Sequence, residues 1–266
     1  MEKNSSSLAG HAELEAFEKD GFCVIRGFYS RDEVAPVRAR LEEIYEGHHN
    51  YDWPNEHLRA LDPTNRDTPG GNYRSGSLQR PAVLEETFHD FAYNTKLISA
   101  MEILLKEPVK LYTDQTIFKP GAIRAGRSFY HQDGFYWKLR PKACINAWVA
   151  LDDTDYEAIA MGFLAGSQSD WRIAHHEEYW DEVPAAGGKD GKPFKRKRIP
   201  LDAVDDTKDQ LIPGAPGDAF FFSNYTWHRA EPNLSGVNRA AYAIAYQIDR
   251  SDNRLSEEEF DALTDT

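Results

Sequence analysis

The spacing of apolar residues changes near the middle of the chain. In the first part, apolar side chains recur three and four positions apart, as at Val34, Val37, Leu41 and Ile44, which is the spacing of a helix face packed on a core. From Val109 onward the period becomes two, in short runs rich in β-branched and aromatic residues, which predicts strands. The pattern therefore predicts a mainly helical first part followed by a β-sheet core.

Capping residues mark where several helices begin and end. Ser30-Arg-Asp-Glu33 has the spacing of a capping box, and Gly47 would end the helix that follows it. Gly21 would end an earlier short helix, just ahead of the strand-like run FCVI. Further helices are predicted at 82–93, at 96–106 and after the capping sequence Ser256-Glu-Glu-Glu259.

The second half of the chain contains five runs that predict strands. They are VKLYTDQTIFK, ACINAWVAL, MGFLAG, AFFFS and AAYAIAYQI. Helices first and strands afterwards indicate an α+β fold whose core is an antiparallel sandwich or barrel. We predict a single domain over 1–266, with a mainly helical part at 1–108, a sheet core at 109–250 and a C-terminal helix within 251–266. A polar insertion at 175–216 would interrupt the core strands.

Charge and cysteine content narrow the class of protein. The chain has 31 basic and 44 acidic residues and a formal net charge of −13, which argues against a nucleic-acid backbone or an anionic membrane as the main partner. No run approaches the roughly 18 apolar residues of a membrane span. Cys23 and Cys144 lie in apolar runs without a CxxC pair, which predicts buried free thiols in a reducing compartment. Together with an N-terminus that lacks signal-peptide features, this predicts a cytoplasmic protein.

The candidate chemistry begins with His131-Gln132-Asp133, inside FYHQDGFYW. Residues two apart on an extended segment project from the same face, so His131 and Asp133 can bind one ion together. His228 follows the strand AFFFS after a short loop and would supply a third ligand from another strand. Two histidines and one carboxylate leave one face of an octahedral Fe(II) open for a chelating co-substrate and for O2.

An arginine that could bind a carboxylate follows the distal histidine. Arg239 comes eleven residues after His228 and opens the strand RAAYAIAYQI. Its planar guanidinium can bind a carboxylate through two parallel hydrogen bonds. The order of HxD, a distant histidine and then an arginine is the order that 2-oxoglutarate chemistry needs. A surface salt bridge is the alternative role for Arg239.

Several sequence blocks between Leu111 and Ile248 resemble the phytanoyl-CoA dioxygenase family of Fe(II)/2-oxoglutarate oxygenases. The blocks are DQTIFKPG, YHQDGFYW, INAWVALDD and PGDAFFFSNYTWHRAEPNLSGVNR. The resemblance implies a double-stranded β-helix core of the jelly-roll or cupin-like kind, with the N-terminal helices packed on one sheet.

The same resemblance implies a set of site residues. It places iron on His131, Asp133 and His228, and it places the distal carboxylate of 2-oxoglutarate on Arg239. Gln115 and Trp148 match positions that line the co-substrate pocket in relatives, with plain barrel packing as the alternative for both. The chain departs from the family at Met161-Gly162, at Ala165-Gly166-Ser167-Gln168 and at Ala230, which bears on substrate identity rather than on the metal.

The expected activity follows from this resemblance. An Fe(II)- and 2-oxoglutarate-dependent dioxygenase would oxidise a C–H bond of a small molecule with release of succinate and CO2, and hydroxylation is the expected outcome. Desaturation, ring closure and epimerisation use the same oxidant and stay open, as does a barrel that binds a metal or ligand without turnover. Halogenation is disfavoured, because the carboxylate of Asp133 would fill the position that a halide needs. The sequence indicates neither the substrate nor the oligomeric state.

Other histidines and a basic run invite simpler explanations. His48, His49 and His57 lie in 48–80, which shows no apolar period, and together with His175-His176 they are predicted to be solvated rather than to form a second metal site. The basic run KPFKRKR at 192–198 predicts a solvated loop, with a lid that attracts an anionic substrate as the alternative. The aromatic residues beside the metal motif are expected to divide between barrel core and pocket wall: Tyr130, Phe135, Tyr136, Trp137, Tyr225 and Trp227.

Overall fold

The computed structural model describes residues 10–47, 58–59, 77–119, 121, 128–157, 159–180 and 195–265. The helices are α1 (His11–Asp20), α2 (Arg31–Gly47), α3 (Glu86–Ala92), α4 (Thr95–Leu105), α5 (Asp133–Trp137) and α6 (Glu257–Leu263). The strands are β1 (Phe22–Ile25), β2 (Leu58–Arg59), β3 (Ser77–Leu78), β4 (Val109–Lys119), β5 (Ser128–His131), β6 (Cys144–Ala150), β7 (Met161–Leu164), β8 (Glu177–Trp180), β9 (Lys195–Arg198), β10 (Asp209–Ile212), β11 (Ala219–Ser223), β12 (His228–Ala230) and β13 (Arg239–Ile248).

Local capping fixes the helix ends that the sequence predicts. The Ser30 amide donates to Glu33 Oε2 at 2.7 Å, and the Glu33 amide donates to Ser30 Oγ at 3.2 Å. Ser256 and Glu259 form the same reciprocal pair ahead of α6. Gly21 ends α1 with φ of 83°, a left-handed conformation that glycine adopts without strain. Among the described helices, none is both long and apolar enough to cross a membrane.

Two antiparallel sheets form the core. One has five strands in the order β1-β11-β6-β13-β4, and the other has four in the order β10-β7-β12-β5. Phe22, Trp148 and Phe222 from the first sheet pack with Met161 and Phe163 from the second in one buried apolar cluster. This double-layered arrangement is the core predicted for a double-stranded β-helix.

Strand β6 shows which sheet the N-terminal helices pack on. Ile145, Ala147 and Val149 face the cluster that contains the helices, whereas Trp148 and Ala150 face the second sheet. Both faces of β6 are therefore buried, which explains its nearly continuous apolar sequence. The helix residues that pack on the outer face are, among others, Leu41, Ile44, Phe88, Leu97 and Met101. The predicted packing of the N-terminal helices on one sheet is confirmed.

The polar segment at 175–216 has more strand structure than expected. Its end contains β10, which pairs with β7 and belongs to the four-stranded sheet, so the insertion into the core ends before β10 rather than at residue 216. The sequence DQLI has too few apolar residues to stand out as an edge strand. The described part of the basic run, Lys195–Arg198, is strand β9 rather than a loop. It pairs with β8, which places Arg198 opposite Glu177 and Lys197 opposite Glu178. Opposite charges across a strand pair stabilise such a hairpin.

Candidate metal centre

Three side chains converge at one end of the four-stranded sheet. His131 ends β5, His228 begins β12, and the two residues are directly opposite each other in the strand pair. Asp133 is the first residue of α5, immediately beyond β5. One ligand atom from each of the three residues lies within 4.8 Å of the others. His131 Nε2 lies 3.9 Å from Asp133 Oδ1, and His228 Nε2 lies 3.7 Å from Asp133 Oδ2.

Backbone carbonyls orient both imidazole rings. His131 Nδ1 lies 2.9 Å from the carbonyl oxygen of Phe129, and His228 Nδ1 lies 3.0 Å from that of Thr226. A carbonyl can only accept, so each Nδ1 carries the proton and each Nε2 presents its lone pair to the centre of the triad. This is the tautomer that a metal ligand requires.

Burial shifts the pKa values of two triad residues. Burial, followed by the neighbouring His228, lowers the pKa of His131 well below its ordinary range, so the ring is neutral and able to bind a metal. Burial raises the pKa of Asp133, while His228 and a hydrogen bond from Asn146 act in the opposite direction. A buried carboxylate is costly unless a positive charge accompanies it. A divalent cation between the three ligand atoms fits this donor set.

Gln132 holds the backbone between the two ligands of the HxD motif. Its buried side chain donates to the carbonyl oxygen of Tyr225 at 2.7 Å and to that of Arg172 at 3.0 Å. Its Oε1 accepts from the Ala174 amide at 2.8 Å. The HxD motif predicts roles for His131 and Asp133 but none for Gln132, because the hydrogen-bond partners of Gln132 are distant in sequence.

His176 corrects the prediction for the His175-His176 pair. His175 is exposed, but His176 is buried, stacks on Phe135 and accepts a hydrogen bond from the Gln132 amide. Burial lowers the pKa of His176 to about 4, so it is a neutral residue of the core rather than a solvated one. An alternation of polar and apolar residues is absent around it, so its burial left no sequence signal. His48, His49 and His57 lie outside the described residues.

The triad opens into a cavity of about 200 Å³ between the sheets. Gln115 and Trp148 both line it. Gln115 Oε1 accepts a 2.9 Å hydrogen bond from Gln79 Nε2. The Trp148 indole N–H is buried and has no hydrogen-bond acceptor among the described residues. A second chamber of about 390 Å³ adjoins the cavity and shares with it Gln115, Asp133, Trp137, Asn146 and Ala243.

Arg239 lies at the far end of the same sheet face. It is not among the described residues that line the cavity. It nevertheless shares the two-residue period of Ala241 and Ala243 on β13, and Ala243 does line the cavity. Its cross-strand neighbour Lys119 also lines the cavity. The Arg239 Nε atom is buried without an acceptor among the described residues, while its Nη1 donates to the carbonyl oxygen of Asn238 at 3.1 Å.

Other charged residues on the cavity wall were not predicted from the sequence. Lys119 could have been found from the two-residue period that begins at Gln115, since both line the cavity. Arg229 adjoins the distal histidine and is held by Asp209 and Glu231. Arg196 reaches the cavity from β9. Arg196 and Arg229 could not be placed from sequence, because their positions depend on pairings between distant segments.

The family departures divide between the cavity and the fold. Met161 and Ala230 face each other across β7 and β12, and both line the cavity. Gln168 instead lies at the end of α1, where its amide donates to the carbonyl oxygens of Glu18 and Lys19. The aromatic residues divide as expected: Trp137 and Tyr136 line the chambers, whereas Tyr130 and Tyr225 belong to buried clusters.

The fold and the triad together define a double-stranded β-helix protein with a candidate metal centre. The profile of the phytanoyl-CoA dioxygenase (PhyH) family matches residues 17–241, and the chain belongs to that family. The predicted family, fold class and dioxygenase class are thereby confirmed.

Relatives and solved structures agree with this placement. The chain is 22% identical over 274 residues to a phytanoyl-CoA dioxygenase domain-containing protein 1 homolog of Caenorhabditis elegans, covering 92% of each chain. It is 23% identical over 265 residues to a phytanoyl-CoA dioxygenase of Arabidopsis thaliana, covering 87% of this chain and 86% of the relative.

Two solved structures show the same fold. EctD from S. alaskensis with 2-oxoglutarate and 5-hydroxyectoine matches with a TM-score of 0.70 and 16% identity, over 98% of this chain and 82% of EctD. The carbocyclase SnoK from nogalamycin biosynthesis matches with a TM-score of 0.68 and 17% identity, over 98% of this chain and 93% of SnoK.

Proposed function

We propose that this protein is an Fe(II)- and 2-oxoglutarate-dependent dioxygenase that hydroxylates a C–H bond of a small molecule. In the balanced reaction, the substrate R–H, 2-oxoglutarate and O2 give R–OH, succinate and CO2. The observation that carries the proposal is the triad of His131, Asp133 and His228, whose ligand atoms lie within 4.8 Å of one another. Two imidazoles and one carboxylate on one face are the protein ligands of non-haem Fe(II) oxygenases.

The residues of the chain supply the geometry. Bound iron would supply the redox chemistry that couples cleavage of 2-oxoglutarate to oxidation of the substrate. The carbonyl groups of Phe129 and Thr226 hold the two imidazoles, and Asn146 holds the carboxylate of Asp133. Apolar side chains on the cavity wall, among them Ile117, Met161 and Phe222, would help to keep water from the reacting atoms.

The barrel end beyond the cavity, where Arg239 lies, suits the co-substrate. The Arg239 Nε and the Trp148 Nε1 atoms are buried donors without acceptors among the described residues. A buried donor without an acceptor costs about 1–3 kcal/mol, so a ligand rich in acceptor oxygens fits this end. We assign the distal carboxylate of 2-oxoglutarate to Arg239, with Gln115 and Trp148 beside the bound acid.

The choice of hydroxylation is the finer part of the proposal. SnoN, an α-ketoglutarate-dependent epimerase from nogalamycin biosynthesis, and the carbocyclase SnoK share the fold of this chain, so the fold is compatible with several outcomes. Mass spectrometry of the product separates them: hydroxylation adds one oxygen atom, desaturation or ring closure removes two hydrogen atoms, and epimerisation leaves the mass unchanged.

The experiment that tests the function is anaerobic reconstitution followed by a substrate screen. The protein is loaded with Fe(II) and 2-oxoglutarate, exposed to O2 with a library of small molecules, and assayed for succinate. We expect substrate-dependent succinate release that Asp133→Ala abolishes. If no compound raises succinate above the level of that variant, a barrel that binds ligands without turnover is the better account.

The cellular setting is part of the same proposal. Cys23 and Cys144 are both buried free thiols, which suits a reducing compartment such as the cytoplasm. The net charge of −13 favours a small-molecule substrate over a nucleic acid or an anionic membrane.

A further inference from the structure

The basic side chains of strand β9 have different surroundings. Lys197 Nζ lies 3.8 Å from Glu178 Oε1, and Arg198 Nε donates to Glu177 Oε1 at 2.8 Å. The Arg198 guanidinium also lies over the rings of Phe129 and Tyr179. These two cations therefore stabilise the β8–β9 hairpin.

Arg196, by contrast, is part of the wall of the cavity that contains the triad. Arg196 shares this cavity wall with the proposed metal ligands His131, Asp133 and His228. A cation in this wall attracts an anion to the space beside the metal centre.

Arg196 and Arg239 lie on different sides of the barrel. Strand β5 is the edge of the four-stranded sheet, and β9 follows it closely, since the Ile199 amide donates to the carbonyl oxygen of Tyr130 at 2.8 Å. Arg239 belongs to β13 in the opposite sheet. Arg196 thus lines the cavity, and Arg239 lies at the far end of the opposite sheet face, so the two arginines offer separate positions for two anionic groups.

Aromatic side chains near Arg196 can contact the carbon skeleton of an organic substrate. Tyr136 is half-exposed, and its hydroxyl donates to the carbonyl oxygen of Lys197 on β9. Tyr136 and Trp137 line the adjoining chamber. An apolar or aromatic surface beside a guanidinium binds a molecule that carries a carbon skeleton and an anionic group.

We propose that Arg196 binds a carboxylate or phosphate group of the substrate, and that the substrate is therefore a small organic anion. This inference rests on the proposed function, because it assigns Arg196 to the substrate and Arg239 to 2-oxoglutarate. The guanidinium supplies a planar pair of donors that matches either anionic group.

The test uses inorganic phosphate as the probe and Mn(II) in place of Fe(II). The protein is kept in excess over Mn(II) and saturated with 2-oxoglutarate, and phosphate is titrated while its ³¹P relaxation is measured. In the parent protein we expect a saturable relaxation enhancement. Arg196→Gln should raise the phosphate concentration at half-saturation at least about tenfold, equivalent to about 1.4 kcal/mol, and Arg196→Lys should fall between the two.

Lys197→Gln is the matched control, because it removes the same charge from the neighbouring position, where the side chain pairs with Glu178. We expect its titration to stay within about twofold of the parent. Equal effects of the two glutamine variants, or no saturable enhancement in the parent, would overturn the inference.

Electron paramagnetic resonance of Mn(II) and binding of 2-oxoglutarate are measured on the same samples. If both bind and phosphate does not, only the role of Arg196 fails. If the parent protein does not bind Mn(II), the proposed function fails and the inference fails with it.

Discussion

The side-chain amide of Asn146 donates a 2.7 Å hydrogen bond to Asp133 Oδ2, the oxygen that lies 3.7 Å from His228 Nε2. Asn146 belongs to β6 in the five-stranded sheet, whereas Asp133 lies two residues beyond the end of β5 in the four-stranded sheet. The bond therefore links the two walls of the barrel at the candidate metal centre, and it fixes the orientation of the carboxylate before a metal binds.

We predict that Asn146→Ala weakens Fe(II) binding about 10- to 100-fold, the usual effect of removing a residue that orients a metal ligand. The affinity is measured by anaerobic titration with Fe(II). Thr113→Ala, a polar truncation in the adjoining chamber, is the control and should leave the affinity nearly unchanged. An Asn146→Ala protein that binds Fe(II) as tightly as the parent would show that Asp133 needs no such support.

Gln132 should matter for stability even in the absence of metal. Gln132→Leu leaves the Ala174 amide and the carbonyl groups of Tyr225 and Arg172 without their present partner. Because buried polar groups without partners cost about 1–3 kcal/mol each, we expect the free energy of unfolding to fall by about 3 kcal/mol in urea titrations of the metal-free protein.

Gln210→Leu makes the same chemical change at an exposed position on β10 and should alter the free energy of unfolding by no more than about 0.5 kcal/mol. Equal stability of the two variants would mean that the network around Gln132 does not hold the HxD segment in place.

Arg239 should govern 2-oxoglutarate and leave iron nearly untouched. Removing one partner of a buried charge pair costs about 2–5 kcal/mol, so Arg239→Ala should weaken 2-oxoglutarate at least about thirtyfold. Arg239→Lys should fall between the variant and the parent, since lysine keeps the charge but not the planar pair of donors. Binding is measured by titration with iron held saturating.

A shorter 2-oxo acid without the distal carboxylate provides the control for Arg239. It should bind the parent weakly and lose little more in Arg239→Ala. If both acids weaken equally, Arg239 supports the barrel. Lys119→Gln then identifies the alternative, because Lys119 lies opposite Arg239 and lines the cavity.

Local signals in the sequence were sufficient for several features. The capping boxes at Ser30 and Ser256 depend on residues three apart. The two-residue period of a strand puts Asn146 and Trp148 on one face of β6, and both line the cavity. The HxD motif likewise places two ligands within three residues. These features form from contacts between near neighbours, so a single sequence carries them.

Other features depend on distant pairings and left no local signal. Arg196 lines the cavity only because β9 pairs with β8 and lies beside β5. His176 is buried only because the segment around it packs on Phe135 and Gln132. A polar run that gains its partners from another segment has the same sequence signature as a solvated loop, which is why the pattern favours a solvated loop at both positions.

The central claim is that His131, Asp133 and His228 bind one Fe(II) and leave a face on which 2-oxoglutarate can chelate it. The most direct measurement is the visible absorption of the Fe(II)-loaded protein while 2-oxoglutarate is added without O2. We predict a weak charge-transfer band that saturates at one equivalent per iron and is absent in Asp133→Ala. A colourless complex, with stoichiometric iron and bound 2-oxoglutarate both confirmed, would contradict the claim.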